Sequence, residues 1–193
     1  MKRGLLLMLP AVVSVLIPGC AGGTGGDGDD NPYEADTLSE AREIAAPLAG
    51  DWDAGAFCFN IIGLEVDSDG VLRGPDSLAG GDDKWFFRFN DGGDRDFNVC
   101  VHYDGAYETS EDGSSETCHP LPEYSDGHVK DLMNTSDDAF QENLDPADYF
   151  YMLDLLALEC SNTATVQAYE TDYSLAGWLV MDADTLDILD TSW

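Results

Sequence analysis

The chain predicts an α+β fold in which one antiparallel sheet is covered on one face by helices and braced by disulfides. Three observations predict it. Segments of helical periodicity stand before and after a run of segments that alternate every second residue. The alternating segments are separated by stretches rich in Gly, Asp and Ser, as in antiparallel meanders. Cys58, Cys100, Cys118 and Cys160 leave an even number of cysteines in the body of the chain.

The elements follow in order along residues 32–193, which hold enough chain for one core. Thr37-Leu38-Ser39-Glu40 is a capping-box pattern, and Leu38, Ala41, Ile44, Ala45 and Leu48 share one face, so a helix starts near Leu38. Pro47 and Gly50 mark its expected end. Strands follow. Phe57, Phe59 and Ile61 alternate with Cys58, Asn60 and Ile62; Trp85, Phe87 and Phe89 alternate with Phe86 and Arg88; Phe97, Val99, Val101 and Tyr103 alternate with Asn98, Cys100 and His102. Leu64-Glu65-Val66 and Val71-Leu72 read as strands joined by an Asp-Gly turn, Asp91-Gly92-Gly93-Asp94 is a further turn, and a hairpin is centred near Thr109.

The pattern then returns to helix. Ser136 is placed to cap a short helix through Phe140, and Asp145-Pro146 followed by Asp148 is an N-terminal signal. Tyr149, Met152, Leu153, Leu156 and Cys160 follow helical spacing from there, so a second, buried helix is expected. Thr163–Tyr169 and Ala176–Met181 read as strands, with a C-terminal hairpin turning at 182–187. A second fold reading comes from Leu48-Ala49-Gly50-Asp51-Trp52, which is similar to the Gly-x-Trp opening of lipocalin-like barrels. That resemblance implies a small barrel with inserted helices, closed at its base by the Trp, whose cup carries a small apolar ligand.

Ahead of the domain, Lys2 and Arg3 precede an apolar run, Gly4 to Ile17, too short and too Pro-interrupted to span a bilayer. Residues 1–19 therefore read as a signal peptide. Ile17-Pro18-Gly19-Cys20 resembles the lipobox of bacterial lipoproteins, with Gly before the Cys and an aliphatic residue three before it. The resemblance implies cleavage before Cys20, fatty acylation (palmitate) at that residue and a lipoprotein held in the cell envelope by its anchor. Ala21 after the Cys, in place of Asp, points by the same resemblance to the outer membrane. Residues 20–31 (CAGGTGGDGDDN) then form a Gly/Asp-rich flexible tether, whose root-mean-square span is roughly 20 Å.

Charge is the second strong feature. The chain has 39 Asp plus Glu against 8 Lys plus Arg, a net −31, which becomes −33 when Lys2 and Arg3 leave with the signal. Such a surface repels nucleic acid and anionic lipid, so no nucleic-acid partner is expected. Acids spread along the chain with few lysines suit concentrated salt, where screening shortens repulsion to a few Å. Calcium binding is the competing account, with Asp67 and Asp69 in one turn and Asp182 and Asp184 in another as candidate ligands. The first cluster lacks the acid, Gly and Glu that an EF-hand loop needs at Val71, Leu72 and Leu78, and both clusters read more simply as turns.

Export favours two disulfides among Cys58, Cys100, Cys118 and Cys160. Three pairings are possible, with Cys100–Cys118 and Cys58–Cys160 preferred. A zinc site from Cys100, His102, Cys118 and His119 is the rival, and it lacks a CxxC pair. None of GxSxG, HExxH or a Walker loop is present, and no cofactor is expected. Trp85-Phe86-Phe87-Arg88-Phe89 places apolar groups on both faces of a strand, which reads first as core packing under helices. The ligand-binding residues are unknown, and Phe86 beside Arg88, opposite Trp85, Phe87 and Phe89, would mark a binding surface if exposed. The functional expectation is a non-catalytic binding or assembly domain, with an apolar-ligand carrier second and a calcium-dependent module or hydrolase third. Its partners would be the membrane through the anchor and an envelope protein or small apolar ligand.

Overall fold

The computed structural model describes residues 35–74, 83–113, 119–145, 147–158 and 161–193. The signal, Cys20, the tether, Cys118, Pro146 and Cys160 lie outside them. Helix α1 (Leu38–Trp52) is followed by strands β1 (Phe57–Val66), β2 (Lys84–Asn90), β3 (Arg95–His102) and β4 (Tyr107–Gly113). Helix α2 (Asp126–Asn143) then precedes β5 (Phe150–Leu158), β6 (Ser161–Tyr169), β7 (Leu175–Asp182) and β8 (Ile188–Thr191). The strands form one antiparallel sheet in the order β4-β3-β2-β1-β5-β6-β7-β8. Each half of the chain is thus a helix followed by a four-stranded meander, and the two halves meet where β1 pairs with β5.

The fold is mostly β, an open eight-stranded sheet with two helices, which corrects the expected α+β domain. The main departure is 150–158, expected to be helical and found as β5. FYMLDLLAL is apolar at nearly every position, so it matches helical and strand templates alike. In the sheet Tyr151, Leu153, Leu155 and Ala157 are buried, while Met152, Asp154 and Leu156 are half-buried on the other side. Only a strand gives that two-residue period. The second helix begins earlier than Ser136: Ser125 caps it, accepting from the His128 N–H at 3.2 Å, and Val129, Leu132, Met133, Ser136 and Phe140 form its buried stripe. Ser136 sits inside that stripe, its hydroxyl donating to the Leu132 carbonyl at 2.9 Å.

The barrel alternative is also corrected. The sheet keeps two edges, β4 and β8, so it does not close. Leu48–Trp52 is the last turn of α1, which runs through Pro47 and Gly50. There Trp52 stacks on Phe97 at 5.3 Å beneath the Arg95 guanidinium, at 5.0 Å. Among the described residues the sheet does not form the closed barrel that the lipocalin-like resemblance implied.

Nor is the domain disulfide-braced among its described residues. Cys58 pairs with Phe89, whose other partner is Phe97, so Cys58 and Cys100 stand on strands separated by β2 and three residues out of step. Two strand spacings of about 4.8 Å exceed what a disulfide bridges. The hairpin that was to join Cys100 to Cys118 turns at 103–106, not near Thr109, which lies inside β4 opposite Val99.

Both helices pack on one face. The core joins Leu38, Ala41, Ala45 and Ala49 of α1 and Val129, Leu132, Met133 and Phe140 of α2 to Ile61, Trp85, Phe87, Val99, Leu153, Leu155, Val166 and Leu179 of the sheet. Gly63 makes room for this packing, since a Cβ there would meet Trp85 and Val66 at 2.6 Å. Among the described residues no helix is long and apolar enough to cross a membrane.

Candidate functional site on the helix-free face

With α1 and α2 on one side, the opposite side of the sheet carries the unassigned chemistry. Register places Asn60, Arg88, Asn98 and Ser110 side by side in one row. The next row is Asp154, Ile62, Phe86, Cys100 and Glu108. A bulge after Cys58 sets the phase of this face in β1. Cys58 turns toward the core with Ile61, whereas Phe59 lies under the Arg88 guanidinium at 4.9 Å, contrary to a simple alternation from Phe57.

Three Asn–Asp pairs organise the rows. Asn60 Nδ2 donates to Asp154 at 2.6 Å and to the Leu155 carbonyl at 3.0 Å. Asn90 Nδ2 donates to Asp96 at 2.8 Å, and Asp96 also receives Arg88 Nη2 at 3.0 Å. Asn98 Nδ2 donates to Asp112 at 2.7 Å and to Ser110 at 3.3 Å, while its own Oδ1 is buried with no hydrogen-bond partner. Burial pushes the Asp154 carboxyl above its ordinary range, against the pull of Asn60 and Arg88. The Arg88 charge is spent inside the belt on Asp96 and the Phe59 ring, and Asn60, Asn90, Asp96 and Asn98 are themselves buried, so the belt is an internal polar network.

An aromatic corner closes one end of the face. Phe150 stacks on Tyr169 at 5.4 Å and meets Tyr173 edge-on at 5.2 Å. The Tyr173 hydroxyl donates to Glu65 at 3.3 Å, and both residues hold left-handed backbone, φ 65° and 57°. Tyr173 ends the β6–β7 turn where glycine is usual, and Glu65 is the extra residue of a bulge in β1. Two strained positions 108 residues apart therefore secure each other.

The candidates from sequence fall as follows. Phe86 and Arg88 both sit half-buried on this face. Asp67 accepts the Asp69 and Val71 N–H groups at 2.9 and 3.0 Å, and Asp69 pairs with Lys130 at 2.7 Å. Asp182 accepts the Asp184 and Thr185 N–H groups, both at 2.9 Å, and these bonds hold its carboxyl below the ordinary value. Asp184 accepts from Tyr124 at 3.0 Å and Asn162 at 2.9 Å. All four acids are engaged in turns, an ion pair or side-chain bonds, and among the described residues no cluster of metal-ligating side chains forms. Burial pushes the Cys58 thiol up to about 12, which disfavours its thiolate. His102 borders the face opposite Lys84, His119 is exposed, and His128 lies in α2 with Nε2 2.6 Å from the Ala183 carbonyl.

Sequence reasoning missed the Asn–Asp pairs. One signal for them existed: Asp154 is a lone acid inside an apolar strand, which demands a donor. No protein-family model, curated protein or solved structure matches this chain.

Proposed function

We propose that the chain is a lipid-anchored protein of the cell envelope, acidic enough for concentrated salt, whose domain acts by non-catalytic binding or assembly. The observation that carries the binding part is the helix-free face, where half-buried Ile62, Phe86, Met152, Leu156 and Trp178 lie beside a belt of buried Asn–Asp pairs and neither α1 nor α2 covers them. A large apolar set beside fixed polar groups is the composition of a recognition surface. The anchoring part rests on the lipobox-like Ile17–Cys20 and the tether after it. Native mass spectrometry of the membrane-extracted mature protein tests both parts. The expected species is a chain that begins at an acylated Cys20 and carries no small molecule. An unmodified Cys20 would remove the anchor, and a reproducible extra small-molecule mass would replace assembly with ligand carriage.

A further inference from the structure

The two edges of the sheet are not alike. β8 has four residues and a register irregularity against β7, both of which blunt an edge. β4 has seven residues, pairs with β3 without a register shift, and is exposed at every position except the half-buried Glu108. Edge strands are ordinarily guarded by charged side chains, Pro or a bulge. β4 has no Pro and no bulge, and its guard is wholly acidic, Glu108, Glu111 and Asp112, which repels another acidic strand but not a cationic one.

The hydrogen-bond alternation tells which backbone groups are open. His102 N–H donates to the Ala106 carbonyl at 2.8 Å, making that pair hydrogen-bonded. Antiparallel pairs alternate, so Glu108, Ser110 and Asp112 bond to β3, while Tyr107, Thr109 and Glu111 turn their N–H and C=O groups outward. Behind this edge Asn98 presents a buried acceptor oxygen that lacks a donor. Among the cations, Arg88, Arg95 and Lys130 are already ion-paired inside the molecule. A chain of net charge −33 without its signal has few positive groups left to offer an acidic strand.

We infer that β4 is a docking edge for a cationic, extended polypeptide segment, which adds to the sheet as a ninth strand through Tyr107, Thr109 and Glu111. Main-chain hydrogen bonds hold the segment, and Glu108, Glu111 and Asp112 select lysine or arginine on its two faces. This rests on the binding reading above and names the partner's chemistry.

The test uses the mature acylated chain in detergent micelles and a nine-residue peptide alternating Lys with Val and Thr. A peptide with Glu for each Lys is the control, and binding is followed by calorimetry and backbone amide exchange at low and high salt. The Lys peptide is expected to bind, to slow exchange at Tyr107, Thr109 and Glu111, and to weaken as salt rises. Thr109→Pro deletes one outward N–H at an edge position where proline is tolerated, and should weaken binding by roughly tenfold. The Glu108→Gln, Glu111→Gln pair leaves the Asn98–Asp112 bond intact and should flatten the salt dependence. Equal binding of both peptides, no binding of either, or Lys-peptide binding unchanged by Thr109→Pro would each overturn the inference. The last result would leave a binding domain standing, with its site elsewhere, and acylation of Cys20 is read independently.

Discussion

Asp154 shows how a single buried acid shapes this molecule. Its folded carboxyl binds a proton more tightly than in the unfolded chain, because burial opposes ionisation. Between the unfolded and the folded pKa the native state holds more protons, so this group's contribution to stability falls as pH rises through that window and is greatest below it. Asp154→Asn keeps an acceptor for Asn60 and should remove this contribution, leaving the variant as stable as wild type, or more so, at neutral pH. Urea midpoints of both proteins from about pH 4 to about pH 7 check this, the gap between them being expected to widen in the variant's favour as pH rises. Asp182 has the opposite sign, with a lowered pKa that favours the fold above the ordinary value and is lost on acidification. Gly63 makes a steric prediction: Gly63→Ala forces a methyl against the fully buried Trp85 and should cost about 1–3 kcal/mol in chemical denaturation.

At the scale of elements, Phe140 ties α2 to the second meander. It is fully buried, stacks on Tyr151 at 5.8 Å and meets Trp193 edge-on at 5.4 Å. Phe140→Ala should therefore destabilise the fold by about 3–5 kcal/mol, read by thermal or urea unfolding. Elements with one clear period were legible in the sequence. The capping box of α1 forms as expected, with Thr37 and Glu40 bonded reciprocally. The strands at 85–89 and 97–101 bury the expected faces, and the turns at 91–94 and 182–187 join hairpins. The failures have one physical source, competition between local signals and tertiary packing. β5 is apolar on both sides because it lies at the centre of the sheet, which hides its period. Pro47 and Gly50 look like stops, yet α1 continues because its other face is packed on β2 and β3. The bulge after Cys58, which decides the face Phe59 joins, has no local mark in the residues.

For the whole molecule the governing quantity is charge. With 39 Asp plus Glu against 8 Lys plus Arg, most carboxylates have no cation to pair with, so the folded state works against its own repulsion at low ionic strength. The melting temperature should rise steadily with added sodium chloride up to molar concentration. A flat profile in differential scanning calorimetry would show that repulsion is unimportant. The helix-free face is only partly readable at this scale: strand alternation places Phe86 and Arg88 together on it, but the belt joins Asn60 to Asp154, 94 residues apart, and no local pattern encodes such a pairing.

The strand order also says something about how the chain reaches its fold. Each meander is closed by neighbours in sequence, so its hairpins can zip locally, and distant parts of the chain meet in the sheet only along the seam of β1 and β5. Among the strand pairings of the described residues, that seam closes the longest stretch of chain and so carries the largest loop-closure entropy. A chain emerging N-terminus first would complete α1 and the first meander while β5 was still to come, leaving β1 as a waiting template. The seam is then where folding commits, and a defect there would yield two half-formed sheets with exposed edges instead of one.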